Sequence, residues 1–96
     1  MVTSVSQRKL ESLLAAEAWE EARTLIEKQL KRRPKDHWLV TQLGVTYYEE
    51  RQYEKSRQIF ERSKEIVDDC PLTLWNLAGA FDALKEHDAA IRLYTE

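Results

Sequence analysis

The sequence predicts an all-α fold of antiparallel helix hairpins, and three observations predict it. Small residues recur every 34 positions, at Ala22, Ser56 and Ala90. Apolar residues inside each predicted helix fall at i, i+3, i+4 and i+7, which is the period of one helix face. The 96 residues include two glycines and two prolines, whereas β-rich domains need more turn residues. A repeat of this length predicts a stacked array of hairpins that share a core.

The composition excludes several classes of protein. With 43% hydrophobic and 33% charged residues, the chain has the balance of a folded domain and not of a disordered one. Its net charge of −2 argues against binding to nucleic acid, which needs a basic excess. Cys70 is the single cysteine, so no internal disulfide can form. No apolar run has the character of a signal peptide or a membrane span, and a cytoplasmic location is therefore expected.

Six helices are predicted, and local residues explain where several of them begin and end. Their expected bounds are 4–16, 19–33, 37–50, 53–67, 71–84 and 87–96. Pro34 cannot continue a helix interior, so the second helix ends before it. Asp36 then offers an N-cap for the third helix. Pro71 suits the first turn of the fifth helix, where its missing N–H leaves no bond unmade.

The faces that pack together are predicted from five columns in one register of 34 residues. Each column contributes one side chain per repeat: Leu10, Gly44 and Ala78; Leu13, Tyr47 and Phe81; Trp19, Tyr53 and His87; Ala22, Ser56 and Ala90; and Ile26, Phe60 and Tyr94. The first two columns lie on the first helix of each repeat, and the other three lie on the second helix. Their small members would let the two helices approach closely.

These columns make the chain resemble the tetratricopeptide repeat family, whose 34-residue helix–turn–helix unit carries the pattern W-x2-L-G-x2-Y…A-x3-F…P. The matching segments are Val40-x2-Leu43-Gly44-x2-Tyr47 with Ser56-x3-Phe60, and Leu74-x2-Leu77-Ala78-x2-Phe81 with Ala90-x3-Tyr94. The first repeat departs from the pattern at Ser6 and Lys9. The resemblance implies one domain, a right-handed superhelix (an α-solenoid) of about three repeats at 3–36, 37–70 and 71–96. Because the third repeat is incomplete, we expect a fragment of a longer protein.

The resemblance also implies a concave groove lined by the first helix of each repeat. Its predicted residues are Trp38, Thr41, Gln42, Val45, Tyr48, Glu49, Leu72, Trp75, Asn76 and Asp82. Exposed aromatic side chains are enriched at binding hot spots, which favours a groove role for Trp38 and Trp75. Packing between neighbouring helices is the alternative interpretation of both tryptophans.

The expected partner is a protein or peptide that is apolar or weakly basic. Some members of the family bind the acidic C-terminal tails of chaperones through a clamp of lysine, arginine and asparagine residues. The matching positions here are Gln7, Glu11, Gln42, Leu72 and Asn76. The cations are missing and Glu11 has the opposite charge, so a chaperone carboxylate tail is not expected.

The sequence therefore predicts a non-catalytic protein–protein interaction module, with no cofactor, no metal and neither nucleic acid nor membrane as a partner. His37 and His87 lack the spacing of zinc ligands, and His37 is expected to be solvated at the start of its helix. The alternative is a structural or assembly role, in which the uncapped third repeat forms a homo-oligomer or docks onto the rest of a longer chain. A regulatory segment of an enzyme and a helical-repeat RNA binder also stay open, and the charge balance disfavours the second.

Overall fold

The computed structural model describes residues 5–84 and the side chains of residues 7–84, and this part of the chain contains five helices and no strand. The helices are α1 (Val5–Ala15), α2 (Trp19–Leu30), α3 (His37–Glu49), α4 (Tyr53–Ile66) and α5 (Pro71–Ala83). The all-α prediction is thus confirmed over these residues. None of the five helices has the length and apolar character needed to cross a membrane. The predicted helix at 87–96, together with His87, Ala90 and Tyr94 of the columns, lies outside the described residues.

The core combines residues of the predicted columns with other apolar residues of the same helices. In the first cluster, Leu10 of α1 and Ala22 and Ile26 of α2 are fully buried against α3, where Val40 is fully buried and Leu43 nearly so. A second cluster joins α4 to α5 through Phe60, Leu77 and Ala80. Since α3 contributes residues to both clusters, this helix connects the core of the first hairpin with the cluster between α4 and α5.

The helix boundaries agree with the predicted ones to within one residue, with the exception of the end of α2. This helix stops at Leu30 and not at residue 33. Proline disfavours the helical conformation in the residue before it, so Pro34 acts on Arg33 as well. The last turn is also tighter than an α-helical turn, since the Arg32 N–H donates to the carbonyl of Gln29, three residues back, at 3.1 Å. The predicted cap of α3 is confirmed, because the Leu39 N–H donates to the Asp36 carboxylate at 3.1 Å.

The corner between the two helices of a hairpin has the same backbone geometry in both complete hairpins. Glu17 and Arg51 lie 34 residues apart and have φ values of 58° and 62°, in the left-handed region. The hydrogen bonds around them are those of a Schellman motif: Ala18 N–H to Leu13 O (2.9 Å), Glu17 N–H to Leu14 O (3.1 Å), Gln52 N–H to Tyr47 O (2.9 Å) and Arg51 N–H to Tyr48 O (2.9 Å). The repeat period therefore extends to the turns as well as the packing columns.

Replacing Arg51 with glycine should raise the free energy of unfolding by about 0.5–1 kcal/mol. A side chain in the left-handed region costs about 1–2 kcal/mol, and the greater chain entropy of unfolded glycine offsets part of that gain. Gln52 is the matched control, since its φ of −92° gives glycine no advantage and Gln52→Gly should destabilise the protein. Urea unfolding followed by circular dichroism measures both changes. Midpoints that move in the same direction for the two variants would contradict the strain at Arg51.

Each junction between hairpins contains an arginine stacked on an aromatic ring, a contact that was not predicted from the sequence. The guanidinium carbon of Arg23 on α2 lies 4.7 Å from the centroid of Tyr47 on α3. That of Arg57 on α4 lies 5.8 Å from the centroid of Phe81 on α5. Both the arginines and the rings are 34 residues apart, so the contact repeats with the fold. Stacking of this kind stabilises by about 0.5–1 kcal/mol at exposed sites and more where water is excluded.

Carboxylates complete both junctions. Glu50 pairs with Arg23 at 2.5 Å, and Glu61 pairs with Arg57 at 2.7 Å. Glu54 also binds Arg57, and this hydrogen bond lowers the pKa of the Glu54 carboxyl from its ordinary value. Each junction therefore consists of a guanidinium held between an aromatic face and at least one carboxylate.

Candidate functional site

A cleft of about 290 Å³ lies between the first helices of the second and third repeats, α3 and α5. Its described lining residues are Val45, Tyr48 and Glu49 from α3, Trp75, Asn76 and Gly79 from α5, and Phe60 from α4. Five of the ten predicted groove residues are thus brought together at one place. Val45, Tyr48 and Glu49 lie on one face of α3 because they are spaced i, i+3 and i+4. On α5, Trp75 and Gly79 share one face because they are spaced i and i+4.

Phe60 forms the inner wall of this cleft, and Gly44 is the reason it can lie there. The ring of Phe60 is 1% exposed and packs directly onto the backbone of α3 at Gly44. A Cβ atom at Gly44 would lie 2.5 Å from Cε1 of the ring and 2.6 Å from Cδ1. The small residue in α3 therefore creates the space for the phenyl ring, and the ring lies where α3, α4 and α5 meet. Phe60 was predicted as a packing residue and not as part of the groove.

The outer part of the cleft is kept open by Gly79 and shaped by Tyr48. A Cβ atom at Gly79 would lie 3.6 Å from the Tyr48 hydroxyl oxygen, which is an ordinary contact distance. The Tyr48 ring packs edge-on against Tyr53 of α4 with 5.2 Å between centroids. This contact positions the Tyr48 ring at the cleft without closing it.

Trp38, Gln42, Leu72 and Asp82, the other predicted residues besides Thr41, are not among the lining residues of the cleft. Leu72 and Trp38, near the starts of α5 and α3, are 58% and 36% exposed. Gln42 is half-buried and Asp82 is exposed. Trp75 is 68% exposed, so it contributes little to the core, and the packing interpretation of this tryptophan is not supported. Trp38 keeps about one third of its surface exposed, which favours neither the groove interpretation nor the packing interpretation.

Thr41 does not belong to the groove, and the prediction that it lines the groove is wrong. Its side chain is 3% exposed and points toward α4. The Thr41 hydroxyl donates to the His37 carbonyl at 2.9 Å and lies 2.6 Å from Oγ of Ser63. Because Ser63 is small and polar, α3 and α4 approach closely at this point, and the hydroxyl pair satisfies both buried groups.

A chain of hydrogen bonds continues from Thr41 across three helices. Oγ of Ser63 lies 3.3 Å from Oγ1 of Thr73 on α5, and Thr73 Oγ1 lies 2.9 Å from Nε2 of His37. The expectation that His37 is simply solvated is therefore wrong, because its ring closes this chain between α3 and α5. Buried and mutually satisfied hydroxyls of this kind fix the relative position of the helices that border the cleft.

Cys70 lies at the start of α5, next to the hydroxyl chain. Hydrogen bonds from the Thr73 backbone N–H and the Thr73 hydroxyl lower the pKa of the Cys70 thiol from its ordinary value. The Cys70 residue is half-buried. Among residues 5–84, no group of three histidine, cysteine, aspartate or glutamate side chains is placed to hold a metal ion.

Comparisons with known proteins agree with this architecture. A family model described as tetratricopeptide repeat matches residues 13–74. A comparison with curated proteins gives no match. Among solved structures, MamA from Desulfovibrio magneticus RS-1, from its residue 41 to its end, superposes with a TM-score of 0.87 at 21% identity, over 94% of this chain and 51% of that chain.

Two further MamA structures have the same fold. A MamA RS-1 ArsTM double mutant superposes with a TM-score of 0.86 at 21% identity, over 94% of this chain and 51% of that one. A MamA point mutant superposes with a TM-score of 0.84 at 13% identity, over 95% and 50%. The chain thus spans about half the length of these solved structures. At such identities the likeness concerns the helical solenoid fold alone.

Proposed function

The chain belongs to the tetratricopeptide repeat family, whose fold is that of a protein–protein interaction module, and we propose that it binds a segment of a partner protein in the cleft between α3 and α5. The observation that carries the proposal is the exposure of Trp75, at 68%, on the rim of this cleft. A tryptophan buries roughly 150–250 Å² when covered, worth about 4–6 kcal/mol as an upper estimate. A side chain of this kind beside a formed cleft is typical of a binding hot spot.

The surroundings of Trp75 favour a segment that is apolar or weakly basic. Leu72 and Trp38 add exposed apolar surface near the starts of the same two helices. Glu49 and Asp82 add negative charge without a lysine or arginine among the described cleft-lining residues. Asn76 can donate to and accept from a peptide backbone, since its amide carries both groups. A partner with apolar side chains and a small positive charge is complementary to these groups.

The test begins with selection of dodecapeptides by phage display on the purified wild-type chain. Trp75→Ala should weaken the binding of enriched peptides by about tenfold or more, as expected for an aromatic hot spot. Its free energy of unfolding should change by no more than about 0.5 kcal/mol, because the ring is largely outside the core. Titration calorimetry and urea unfolding measure the two quantities.

Val67→Ala is the matched control for Trp75→Ala. Val67 is also a large apolar side chain with partial exposure, 36%, but it follows α4 and does not line the cleft. This variant should bind the selected peptides with wild-type affinity. Selected peptides that bind Trp75→Ala as tightly as the wild type would overturn the proposal.

A role in assembly is the second candidate, and the exposure of both Leu72 and Trp75 on α5 is the observation that favours it. Two copies could cover these side chains by contact of their α5 helices. Sedimentation velocity over a range of concentrations distinguishes the candidates. A dimer that Trp75→Ala dissociates would support assembly, whereas a monomer at every concentration would contradict it.

A further inference from the structure

We infer that the cleft between α3 and α5 binds an arginine side chain of the partner segment, with the guanidinium between the aromatic rings and Glu49. This inference rests on the proposed function, since it takes the same cleft as the binding site and names the group that enters it. At about 290 Å³ the cleft is near the lower end of ligand pockets, which run from about 300 to 1,000 Å³. A single long side chain, and not a larger molecule, suits this volume.

The chemistry of the cleft walls favours a cation. Tyr48 and Trp75 line it with aromatic surface, and the negative faces of such rings attract cations. Glu49 provides a carboxylate at the same cleft. Among the ion pairs within residues 5–84, none uses Glu49, and no lysine or arginine is among the described lining residues. An apolar side chain would bury this carboxylate without compensating it, which is unfavourable.

The fold already binds arginine in this manner at its own junctions. Arg23 lies 4.7 Å from the Tyr47 ring centroid and 2.5 Å from the Glu50 carboxylate. Tyr48 and Glu49 are the two residues between Tyr47 and Glu50, and they carry the same two kinds of group to the cleft side of α3. The end of α3 thus presents an aromatic ring and a carboxylate at two sites. Tyr47 and Glu50 form the first site, and Arg23 of the chain occupies it. The second site is the cleft.

Arginine suits this cleft better than lysine. Its guanidinium is planar and stacks on aromatic rings, and its five N–H donors lie in a fixed fork. These donors can serve the Glu49 carboxylate and the carbonyl oxygen of Asn76 together, because both residues line the cleft. The ammonium of lysine is more strongly hydrated and lacks the planar face, so it gains less from the same surroundings.

The experiment compares three blocked pentapeptides, acetyl-Gly-Leu-X-Leu-Gly-amide, in which X is arginine, citrulline or lysine. Citrulline keeps the planar shape of arginine and removes its charge. Two-dimensional NMR of the uniformly labelled full chain at low salt follows the Gly79 amide and the Trp75 indole N–H during titration. The arginine peptide should bind at least about tenfold more tightly than either other peptide. Glu49→Gln should reduce its affinity to that of the citrulline peptide.

Glu65→Gln controls for the loss of one negative charge elsewhere, since Glu65 is exposed on α4 and outside the cleft lining. This variant should bind the arginine peptide with wild-type affinity. Equal affinities for arginine and citrulline, arginine binding that Glu49→Gln leaves unchanged, or no shift with any peptide would overturn the inference. The proposed function fails separately, when peptides selected by display bind Trp75→Ala as well as the wild type.

Discussion

Replacing Gly44 with alanine should lower the free energy of unfolding by about 1–3 kcal/mol, although alanine is the better helix former by about 1 kcal/mol. The added methyl group would lie 2.5 Å from Cε1 of Phe60 and 3.0 Å from Cζ. The ring cannot give way easily, because it is 1% exposed and packs at the meeting point of three helices. Either the ring or helix α3 must shift, and both movements disturb the inner wall of the cleft.

Gly79→Ala is the control for the helix propensity of alanine. Gly79 is also inside a helix of the same hairpin array, but its new methyl group would meet the Tyr48 hydroxyl at 3.6 Å without a clash. This variant should gain up to about 1 kcal/mol. Thermal and urea unfolding of the two variants measure the difference. A stabilised Gly44→Ala protein would show that the Phe60 ring adapts, and the proposed role of Gly44 would be wrong.

Replacing Thr73 with valine should lower the free energy of unfolding by about 1–3 kcal/mol, because a buried hydrogen-bonded group is lost while the shape of the side chain is kept. The Thr73 hydroxyl lies 2.9 Å from Nε2 of His37 and 3.3 Å from Oγ of Ser63. Its loss breaks the polar chain between α5 and the preceding hairpin. Thr73→Ser keeps the hydroxyl and should restore the polar contacts, although it leaves the space of one methyl group empty.

Thr24→Val is the matched control, since Thr24 is exposed on α2 and its hydroxyl bonds only to the Glu20 carbonyl one turn earlier. We expect a change within about 0.5 kcal/mol there. Thr73→Val should also raise the pKa of Cys70 toward its ordinary value, because one of the hydrogen bonds that favour the thiolate disappears. The pH dependence of Cys70 alkylation measures this shift. An unchanged alkylation profile together with unchanged stability would contradict the role of Thr73.

The repeat itself was predictable because its packing demands a fixed pattern of side-chain sizes. A small residue at Ala22 and Ser56 and a large one at Ile26 and Phe60 are needed wherever two helices of a hairpin cross, and the structure buries all four. Because this requirement on side-chain size recurs in every hairpin, it appears in a single sequence as a period of 34 residues. The left-handed corners follow the same period but lack glycine, so residue type alone did not reveal them.

The candidate site was only partly predictable, for reasons that particular residues illustrate. The five cleft residues among the predicted groove set follow from the face of each first helix. Thr41 lies near that face, but its side chain is directed toward α4 by the contact of its hydroxyl with Ser63. Ser63 is 22 positions away in the sequence. A single sequence does not show that the two residues are close in the fold. The end of α2 lies three residues before the predicted one, because the Arg32 N–H bonds to the carbonyl of Gln29 three residues back, a change of hydrogen-bond pattern that the position of Pro34 alone does not show.

The arginines at the junctions recur with the repeat period, but a comparison of apolar residues alone does not detect them. Arg23 and Arg57 share the 34-residue spacing of Tyr47 and Phe81, so a search for charged as well as apolar columns would find them. Nothing in the spacing alone indicates that a charged column packs on an aromatic one. The three-dimensional contact is needed to connect the two columns.

These junction contacts also bear on how the chain unfolds. In repeat proteins the total stability is close to a sum of terms within each hairpin and terms between nearest neighbours. Arg23 and Arg57 belong to the second kind, since each joins the last helix of one hairpin to the first helix of the next. The side chain of Arg23 is 13% exposed, so salt screens its pairing with Glu50 less than it screens a surface pair. Together with the apolar contacts between the same helices, the arginines therefore contribute to the coupling that makes neighbouring hairpins open together.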